Sequence, residues 1–266
     1  MTHFKISVVI VTYNSENDIR ECLDSLKDQT FKDFNIVVVD NASKDDTAKI
    51  VKDNYADFVH LLELSENRFL TGGNNYGMKF CIENFESEFV LVLNPDVKCE
   101  SNLIESLLVP MSDPIVGATG PKVKFYRNQN EGLINSAGLL FDGFNQAYDI
   151  GFMEKDEGQF DEEKTVFGVT GTAILFRSSM LKEIGFYWEK IKLYLDEVEM
   201  FIRMQKTGWK VIYTPKTTIH HKYMQSTDKM KLGRVEKVKK EAWLWIAMRH
   251  YSLRAKLAMI KLYLFK

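Results

Sequence analysis

The stretch Ile6–Asn14, which reads ISVVIVTYN, decides the fold class. Its first six residues are apolar apart from Ser7, and such a run predicts a strand that is buried on both faces. Three polar residues, Thr12, Tyr13 and Asn14, follow the run directly. Strands of this kind belong to sheets that helices cover on both sides, so the stretch indicates an α/β protein.

The same alternation of strand and helix continues to residue 93. We predict, in chain order, a helix over Asn17–Lys27, a strand over Phe34–Val39, a helix ending at Val51 that Ser43 and Asp46 would cap, a strand over Phe58–Leu62, a helix over Gly77–Asn84 that opens near Thr71, and a strand over Phe89–Leu93. Strands separated by helices at this spacing favour parallel βαβ units. We therefore predict a doubly wound, mostly parallel sheet.

The pattern loosens after Pro110, and residues 124–165 are rich in Gly, Asn and acidic side chains. We predict strands over Val116–Val123, Leu139–Phe141, Val166–Phe176 and Val211–Thr214, a helix over Tyr194–Gln205, and one or two C-terminal helices from Lys229 onward. The chain thus divides into a domain over residues 1–228, with halves at 1–110 and 111–228, and a basic helical extension over 229–266.

Composition limits the class of protein and its compartment. At 266 residues the chain fits one large α/β domain or a core with a small appendage. Its three cysteines, Cys22, Cys81 and Cys99, form no C-x-x-C pair, which argues against a disulfide framework or a zinc site and fits a reducing cytosol. Neither a signal peptide nor a membrane-spanning run is recognisable, so we expect a cytoplasmic protein.

The charge is unevenly distributed along the chain. Residues 225–266 contain eleven Lys and Arg against three acidic residues and carry +8, while residues 1–224 carry −10. Tryptophans and leucines interleave with these cations, which favours an amphipathic helix lying on an anionic membrane at the inner face of the cell. A helix pair packed on the domain or on a second subunit fits the sequence equally well. Nothing else in the chain supports nucleic-acid binding.

Polar clusters stand at three predicted strand ends: Thr12-Tyr13-Asn14, Asp40-Asn41 and Asn94-Pro95-Asp96. Ligands of open α/β sheets bind outside the carboxyl ends of the strands, so we expect these clusters to meet in one crevice. Asp96 could bind the Mg²⁺ or Mn²⁺ that neutralises a diphosphate, and Asp40 could accept a hydrogen bond from a nucleobase or a ribose. Taken singly, each carboxylate is better explained as a turn residue.

Two further motifs are ambiguous when taken alone. Gly72–Gly77, GGNNYG, precedes a predicted helix and could cradle a phosphate, but it is neither a dinucleotide fingerprint nor a Walker A loop. It could equally be a simple helix entry. His220 and His221 are adjacent and point in different directions, so at most one of them would share a metal with Asp96.

An acidic cluster lies on the predicted helix Tyr194–Gln205. Glu199 faces Arg203 one turn later, so these two residues would form a structural ion pair. Asp196 and Glu197 have no such partner and are therefore candidate general bases, which must be a carboxylate or an imidazole in reach of the acceptor hydroxyl. An acidic face exposed to solvent is the alternative.

Taken together, these residues resemble the family-2 inverting glycosyltransferases of the GT-A fold, and especially the rhamnosyltransferase-like members that build bacterial surface polysaccharides. The resemblance covers approximately residues 5–226 and rests on several motifs in the family's order. They are Ser7–Asn14, Val38–Ser43, Glu66–Gly77, Leu93–Asp96, Gly171–Ala173, Gly185–Phe186 and Asp196–Glu199 with Arg203.

The resemblance implies a role for each site residue. The nucleotide-sugar donor would be held by Thr12, Tyr13, Asn14, Asp40, Asn41, Gly73, Asn74 and Asn94. Asp96 and His221 would bind a divalent ion, Mg²⁺ or Mn²⁺, at the diphosphate. Glu197 or Asp196 would take the proton of the acceptor hydroxyl in a direct displacement that inverts the anomeric carbon.

The implied activity is transfer of rhamnose or another hexose from a dTDP- or UDP-sugar to a saccharide or lipid-linked acceptor. Residues 1–110 would bind the nucleotide sugar and residues 111–228 the acceptor. Three positions depart from the family pattern, since Asn94 replaces the first Asp of the metal motif, Asp196-Glu197 reverses the usual Glu-Asp order, and Arg68 replaces a common Gly.

Two other functions fit parts of the sequence. A binding scaffold without catalysis is one alternative. A nucleotidyltransferase is the other, although it would need a Gly-rich loop with a basic residue where Thr12–Ser15 stands.

Overall fold

The stretch that opens the chain forms the central strand of the sheet. The computed structural model describes residues 4–127, 129–222 and 232–264. Strand β1 (Ile6–Thr12) is buried along its whole length and lies between two parallel neighbours. Burial on both faces explains why the stretch is apolar at almost every position.

The first half of the chain alternates strands and helices as predicted. Its elements are α1 (Ile19–Lys27), β2 (Phe34–Asp40), α2 (Thr47–Tyr55), β3 (Val59–Glu63), α3 (Phe69–Asn84), β4 (Phe89–Leu93), β5 (Val97–Cys99) and α4 (Leu103–Leu108). The strands β4, β1, β2 and β3 are neighbours in that order, and all three pairings are parallel. The predicted α/β class with a mostly parallel central sheet is therefore confirmed for this part.

The second half adds antiparallel strands to the same sheet. Its elements are β6 (Val116–Phe125), β7 (Ile134–Ser136), β8 (Leu139–Phe141), β9 (Ala147–Asp149), β10 (Lys164–Val166), β11 (Ala173–Arg177), α5 (Ser178–Ile184), α6 (Asp196–Thr207) and β12 (Lys210–His221). Strand β11 lies between β4 and β6 and is antiparallel to both, while β12 runs parallel to β6. The strands β8 and β9 form a separate hairpin.

Several predicted boundaries are wrong. The strand predicted over Val166–Phe176 is two strands, because the chain turns at Gly171 and Thr172 before β11 begins. Gly168, between the two strands, packs against the ring of Phe201, where a Cβ would lie 2.3 Å from Cδ2. The short strand predicted at Val211–Thr214 extends to His221 across a bulge. Ser43 does not cap α2, since its hydroxyl accepts a hydrogen bond from the Asn14 amide at 3.0 Å, and α2 runs beyond the predicted end at Val51.

Helices cover both faces of the sheet. Helices α1, α2 and α4 pack on one face against alternate residues of β1, and α3, α5 and α6 pack on the other face against the residues between them. The C-terminal helices α7 (Leu232–His250) and α8 (Leu253–Leu264) form a third apolar cluster with the outer side of α6. The predicted domain boundary at residue 228 lies outside the described residues.

Helix α3 packs very close to β1. A Cβ at Gly77 would lie 2.5 Å from Val9 Cγ1, and one at Gly73 would lie 2.7 Å from Val11 Cγ1. Any side chain at these two positions would therefore have to displace the helix or the strand. The GGNNYG motif lies within α3 and not before it, because the helix already begins at Phe69.

None of the helices in these described ranges combines the length and the apolar character that a bilayer crossing requires.

We expect Gly77→Ala to lower the free energy of unfolding by about 1–3 kcal/mol, the usual cost of overpacking. The new methyl group meets Val9 and Val39, and the gain in helix propensity of about 1 kcal/mol offsets only part of this cost. Urea unfolding measures the difference. Lys79→Ala, an exposed position on the same helix, is the control, and equal stability of the two variants would contradict the close packing of α3 on β1.

Candidate functional site

The ends of β1 and β2 form one hydrogen-bonded cluster. Thr12 and Asp40 are paired across the two strands, and the Thr12 hydroxyl donates to Asp40 Oδ1 at 3.1 Å. The other carboxylate oxygen of Asp40 accepts from the backbone amide of Ser43 at 3.0 Å. Both side chains are buried. The predicted meeting of these two strand ends is thus observed.

The neighbouring asparagines tie the surrounding loops together. Asn14 has a positive φ of 54° and accepts from the Lys44 amide at 2.7 Å, which joins the loops that follow β1 and β2. The side chain of Asn41 accepts from the Arg68 amide at 2.8 Å and donates to the Phe69 carbonyl at 2.9 Å, at the start of α3. These two amide side chains therefore shape the crevice wall.

Other predicted donor contacts differ in accessibility. The ring of Tyr13 is exposed, at 47%, and is free to meet a planar ligand. Gly73 faces Val11 at the carboxyl end of β1, and Asn74 beside it is buried in α3. Asn94 is half-buried directly after β4.

Asp96 lies beside His221, as the sequence predicted. Asp96 Oδ1 is 3.3 Å from His221 Nε2, and His221 Nδ1 is 2.9 Å from Asn135 Oδ1. His220 points the other way, towards the carboxylate of Glu100 at 3.8 Å. Burial works to raise the pKa of Asp96, but the attraction and hydrogen bond of His221 outweigh it, so this pKa lies below its ordinary value.

The donor set at Asp96 suits a divalent ion. Nδ1 of His221 is hydrogen-bonded to Asn135 Oδ1, so the ring presents its Nε2 atom to the carboxylate of Asp96. An imidazole nitrogen and a carboxylate oxygen are both common ligands of divalent metal ions. Within the described ranges no cluster of three or more His, Cys, Asp or Glu is placed to hold a metal. Mg²⁺ commonly takes one or two protein ligands and completes its shell with phosphate and water.

Asp196 and Glu197 open α6 after a strained turn. Tyr194 and Leu195, which precede them, both have a φ of 63°, a left-handed conformation that non-glycine residues seldom adopt. Such strain persists only where the surrounding structure fixes it, and it concentrates at functional sites. The turn therefore fixes the direction in which the two carboxyl groups enter the crevice.

Burial and mutual repulsion weaken the acidity of this pair. The two carboxyl groups interact with each other. Burial raises the pKa of Asp196 to about 6. Burial and the charges of Asp196 and Asp149 raise the pKa of Glu197 well above its ordinary value. A general base works best when its pKa is near the working pH, so this environment suits proton transfer.

One backbone contact brings the chain around Asn94 and Asp96 close to Glu197. The amide of Asn94 donates to the Thr172 carbonyl at 3.0 Å, extending the pairing of β4 with β11. Gly171, the preceding residue, lies beside Glu197, because a Cβ there would be 3.8 Å from Glu197 Cδ. The predicted motifs around Asn94 and Glu197 thus occupy one crevice, although they are a hundred residues apart in sequence.

The predicted pair of Glu199 with Arg203 is confirmed and is part of a larger ion cluster. Arg203 Nη2 and Nε lie 2.9 Å and 3.0 Å from Glu199 Oε2. The guanidinium of Arg249 and the ring of His250, both on α7, contact the other oxygen at 3.0 Å and 2.8 Å. Glu199 is fully buried, and burial works to raise its pKa, but these cationic partners outweigh it and lower the pKa. The cluster fixes α7 to the helix that carries the two candidate bases.

Comparison with known proteins identifies the chain. The family model described as Glycosyl transferase family 2 matches residues 7–185. This chain belongs to glycosyl transferase family 2. The membership confirms the predicted class of enzyme, a glycosyltransferase, and the matched residues end before α6.

Three similar proteins put this family-2 chain in context. It is 26% identical to the low-salt glycan biosynthesis hexosyltransferase Agl10 of Haloferax volcanii over 76% of this chain and 62% of that protein. It is 24% identical to an N-acetylglucosaminyl-diphospho-decaprenol L-rhamnosyltransferase of Mycobacterium tuberculosis over 96% of this chain and 91% of that protein. The crystal structure of GalNAc-T7 with UDP, GalNAc and Mn²⁺ superposes with a TM-score of 0.68 at 16% identity, over 82% of this chain and 43% of that one. The predicted GT-A fold is thereby confirmed.

Sequence reasoning missed three residues that lie next to the candidate site residues. Asn135 and Asp149 lie in the Gly- and Asn-rich segment, which has no periodicity or motif to mark them. Lys222 follows His221 directly, and this adjacency was a usable signal. Its amide donates to the Asp96 carbonyl at 3.0 Å, and its ammonium group contacts Asp18 at 2.7 Å, which ties the end of β12 to the start of α1.

We expect Glu199→Gln to lower the free energy of unfolding by about 3–5 kcal/mol, because it leaves buried cations without a counter-charge. The folded-state pKa of Glu199 is lowered, so the wild type loses this stabilisation as the pH falls below the ordinary value of 4.5 and through the lower folded value. Urea unfolding between pH 3 and pH 7, a range set by that value, measures both effects.

Glu183→Gln is the matched control for this substitution, because Glu183 is exposed and hydrogen-bonds only at the surface, to Trp209. Stabilities of the two variants that agree at neutral pH would refute the role assigned to the ion cluster.

Proposed function

We propose that the chain is an inverting hexosyltransferase that moves rhamnose or another hexose from a dTDP- or UDP-sugar to a saccharide or lipid-linked saccharide during synthesis of a cell-surface polysaccharide. Family membership supports the reaction class. The similarity to a rhamnosyltransferase over nearly the full length of both chains supports the sugar and the acceptor class. The crystal structure of GalNAc-T7 with UDP and Mn²⁺ supports a nucleotide-diphosphate donor.

One observation carries the proposal. The Asn94–Thr172 hydrogen bond and the contact of Gly171 with Glu197 put a carboxylate–imidazole pair and a carboxyl pair on the same edge of the sheet. Displacement at an anomeric carbon needs these two functions at once, one on the leaving diphosphate and one on the attacking hydroxyl.

We assign the proton acceptor to Glu197. Asp196 is buried, whereas part of the Glu197 side chain stays accessible from the crevice. Glu197 would accept the proton of the acceptor hydroxyl while the hydroxyl oxygen bonds to the anomeric carbon. The bond from that carbon to the diphosphate oxygen breaks on the opposite side, which inverts the configuration. The charge of Asp196 would raise the pKa of Glu197 and so strengthen it as a proton acceptor.

The donor would lie along the strand ends. Thr12 and Asp40 would hold the nucleoside, and Tyr13 would offer its exposed ring to the base. A divalent ion, Mg²⁺ or Mn²⁺, held by Asp96 and His221 would neutralise the charge of the departing diphosphate. The residues 1–110 would then form the donor half and residues 111–228 the acceptor half.

The outer face of α7 and α8 supports contact with a membrane at the cytoplasmic side. Trp245, Met248, Leu253 and Leu257 are exposed there, at 41–75%. Exposed cations, among them Lys237 and Arg254, surround them. The inner face packs on α6, so the two helices both belong to the folded unit and present an amphipathic surface. We infer that this surface binds anionic lipid and brings the crevice to a lipid-linked acceptor.

Glu197→Gln should reduce the turnover number by roughly 10²–10⁴-fold, the usual contribution of a general base, while donor affinity persists. Asp96→Ala should reduce turnover as well and also weaken donor binding. Thermal-shift titrations of a panel of dTDP- and UDP-sugars with and without Mn²⁺ measure binding, and sugar release measures turnover. Wild-type turnover in both variants would disprove the site, and a wild-type chain that binds donor without consuming it would indicate a scaffold.

Leu253→Ser combined with Leu257→Ser should abolish flotation with phosphatidylglycerol vesicles, whereas the wild type floats with them and not with phosphatidylcholine vesicles. Val109→Ser combined with Ile115→Ser removes two exposed apolar side chains elsewhere and is the matched control. Equal flotation of the two double variants would refute membrane contact through α8.

A further inference from the structure

Asp149, the last residue of β9, carries a buried polar atom that the proposed mechanism does not use. Its Oδ1 atom is buried and has no hydrogen-bond partner among the described residues. A buried carboxylate oxygen without a partner is unfavourable, and a functional role is one explanation for such an atom in a folded protein.

The hairpin of β8 and β9, which ends at Asp149, is attached to the segment that leads to Gly171. The Leu139 amide donates to the Gly168 carbonyl at 2.7 Å, and the Ile150 amide donates to the Gly138 carbonyl at 2.8 Å. Gly168 belongs to the segment that leads to Gly171, beside Glu197. The hairpin is therefore fixed to the same backbone segment that lines the base end of the crevice.

The electrostatic neighbours of Asp149 include the proposed metal ligand His221 and the proposed base Glu197. Burial raises the pKa of Asp149 to about 6. The Ser136 hydroxyl and the charges of Lys239 and His221 lower this pKa but do not outweigh burial. Its own charge acts on Glu197. Lys239 comes from α7 and lies 5.3 Å from the ring of Tyr194, at the strained turn. Asp149 thus lies within electrostatic range of both the proposed base and the proposed metal ligand.

A purely structural role does not account for Asp149. Asp156, seven residues later, has such a role, because its carboxylate forms ion pairs with Lys122 and Lys124 at 2.8 Å each. Across the ranges that the structure describes, Asp149 has no ion pair within 4.0 Å. The Oδ1 atom of Asp149 therefore keeps an unused capacity to accept a hydrogen bond.

We propose that Asp149 binds the acceptor saccharide: its free carboxylate oxygen accepts a hydrogen bond from the hydroxyl next to the attacking one and turns the attacking hydroxyl towards Glu197. The ligand class is a pyranoside with two neighbouring free hydroxyls. This inference rests on the proposed function, since it needs an acceptor in the crevice. Asp149 is then a specificity-determining residue, because it discriminates against acceptors that lack the second hydroxyl.

The test uses the full chain with a panel of 4-nitrophenyl hexopyranosides as acceptor probes and the best donor from the thermal-shift panel. The rate of donor consumption is measured at increasing glycoside concentration, and the half-saturating concentration is read from this curve. A glycoside that accepts the sugar raises the rate, and one that only displaces water lowers the hydrolysis of the donor. Asp149→Asn keeps the size and removes the charge, and Asp149→Ala is the second variant. Glu162→Gln is the control, because Glu162 is an exposed acidic residue between β9 and β10.

We expect Asp149→Asn and Asp149→Ala to raise the half-saturating glycoside concentration by about tenfold or more, as for loss of a hydrogen bond to a charged group, while the donor KM keeps its wild-type value. The decisive measurement repeats this with deoxy-glycosides. Removing one particular hydroxyl should weaken binding to the wild type and have no further effect on the variants, because the two changes remove the same contact.

Three outcomes would overturn the inference. They are an undiminished deoxy effect in the Asp149 variants, a glycoside response equal to that of the wild type, and a wild type that consumes donor but responds to no glycoside. A wild type that consumes no donor would overturn the proposed function instead.

Discussion

The antiparallel pairing of β4 with β11 is the constraint on which the site depends. The parallel strands of the first half deliver Thr12, Asp40 and Asp96 to one edge of the sheet, and the second half delivers Glu197. The β4–β11 register helps to set the distance between Asp96 and Glu197, because it continues into the hydrogen bond from Asn94 to Thr172. A slip by one residue would turn every side chain of β11 to the other face and would separate the two ends of the crevice.

Helix α6 carries two kinds of buried carboxyl group. Glu199 is surrounded by cations and stays ionised, so it serves as a fixed attachment point for α7. Asp196 and Glu197, the first two residues of the helix, interact with each other and have acidities weakened by burial. The helix thus separates a structural charge from a pair suited to exchanging a proton, and the difference arises from neighbours alone, since the side chains are chemically alike.

The parts of this site that local sequence encodes were predictable. A buried strand followed by polar residues is visible in the sequence itself, so the sequence alone is enough to place Thr12, Asp40 and Asp96 at one sheet edge. Asn135 and Asp149 could not be placed in this way, because the strands around them are three residues long and their partners are distant in sequence. The break in the strand predicted over Val166–Phe176, where the chain turns at Gly171 and Thr172, was not predicted either. Whether each side chain acts as assigned depends on contacts with substrate, which local periodicity does not encode.

The turn at Tyr194 and Leu195 has a consequence for how this sequence can change. Both residues hold a backbone conformation that glycine would adopt at lower cost. A search for more stable sequences would therefore select glycine at these two positions, and it would thereby free the start of α6 to move. Natural selection for turnover would keep the present residues at these positions, whereas laboratory selection for heat resistance would favour glycine. A thermostable derivative that keeps its activity therefore has to gain its stability at other positions.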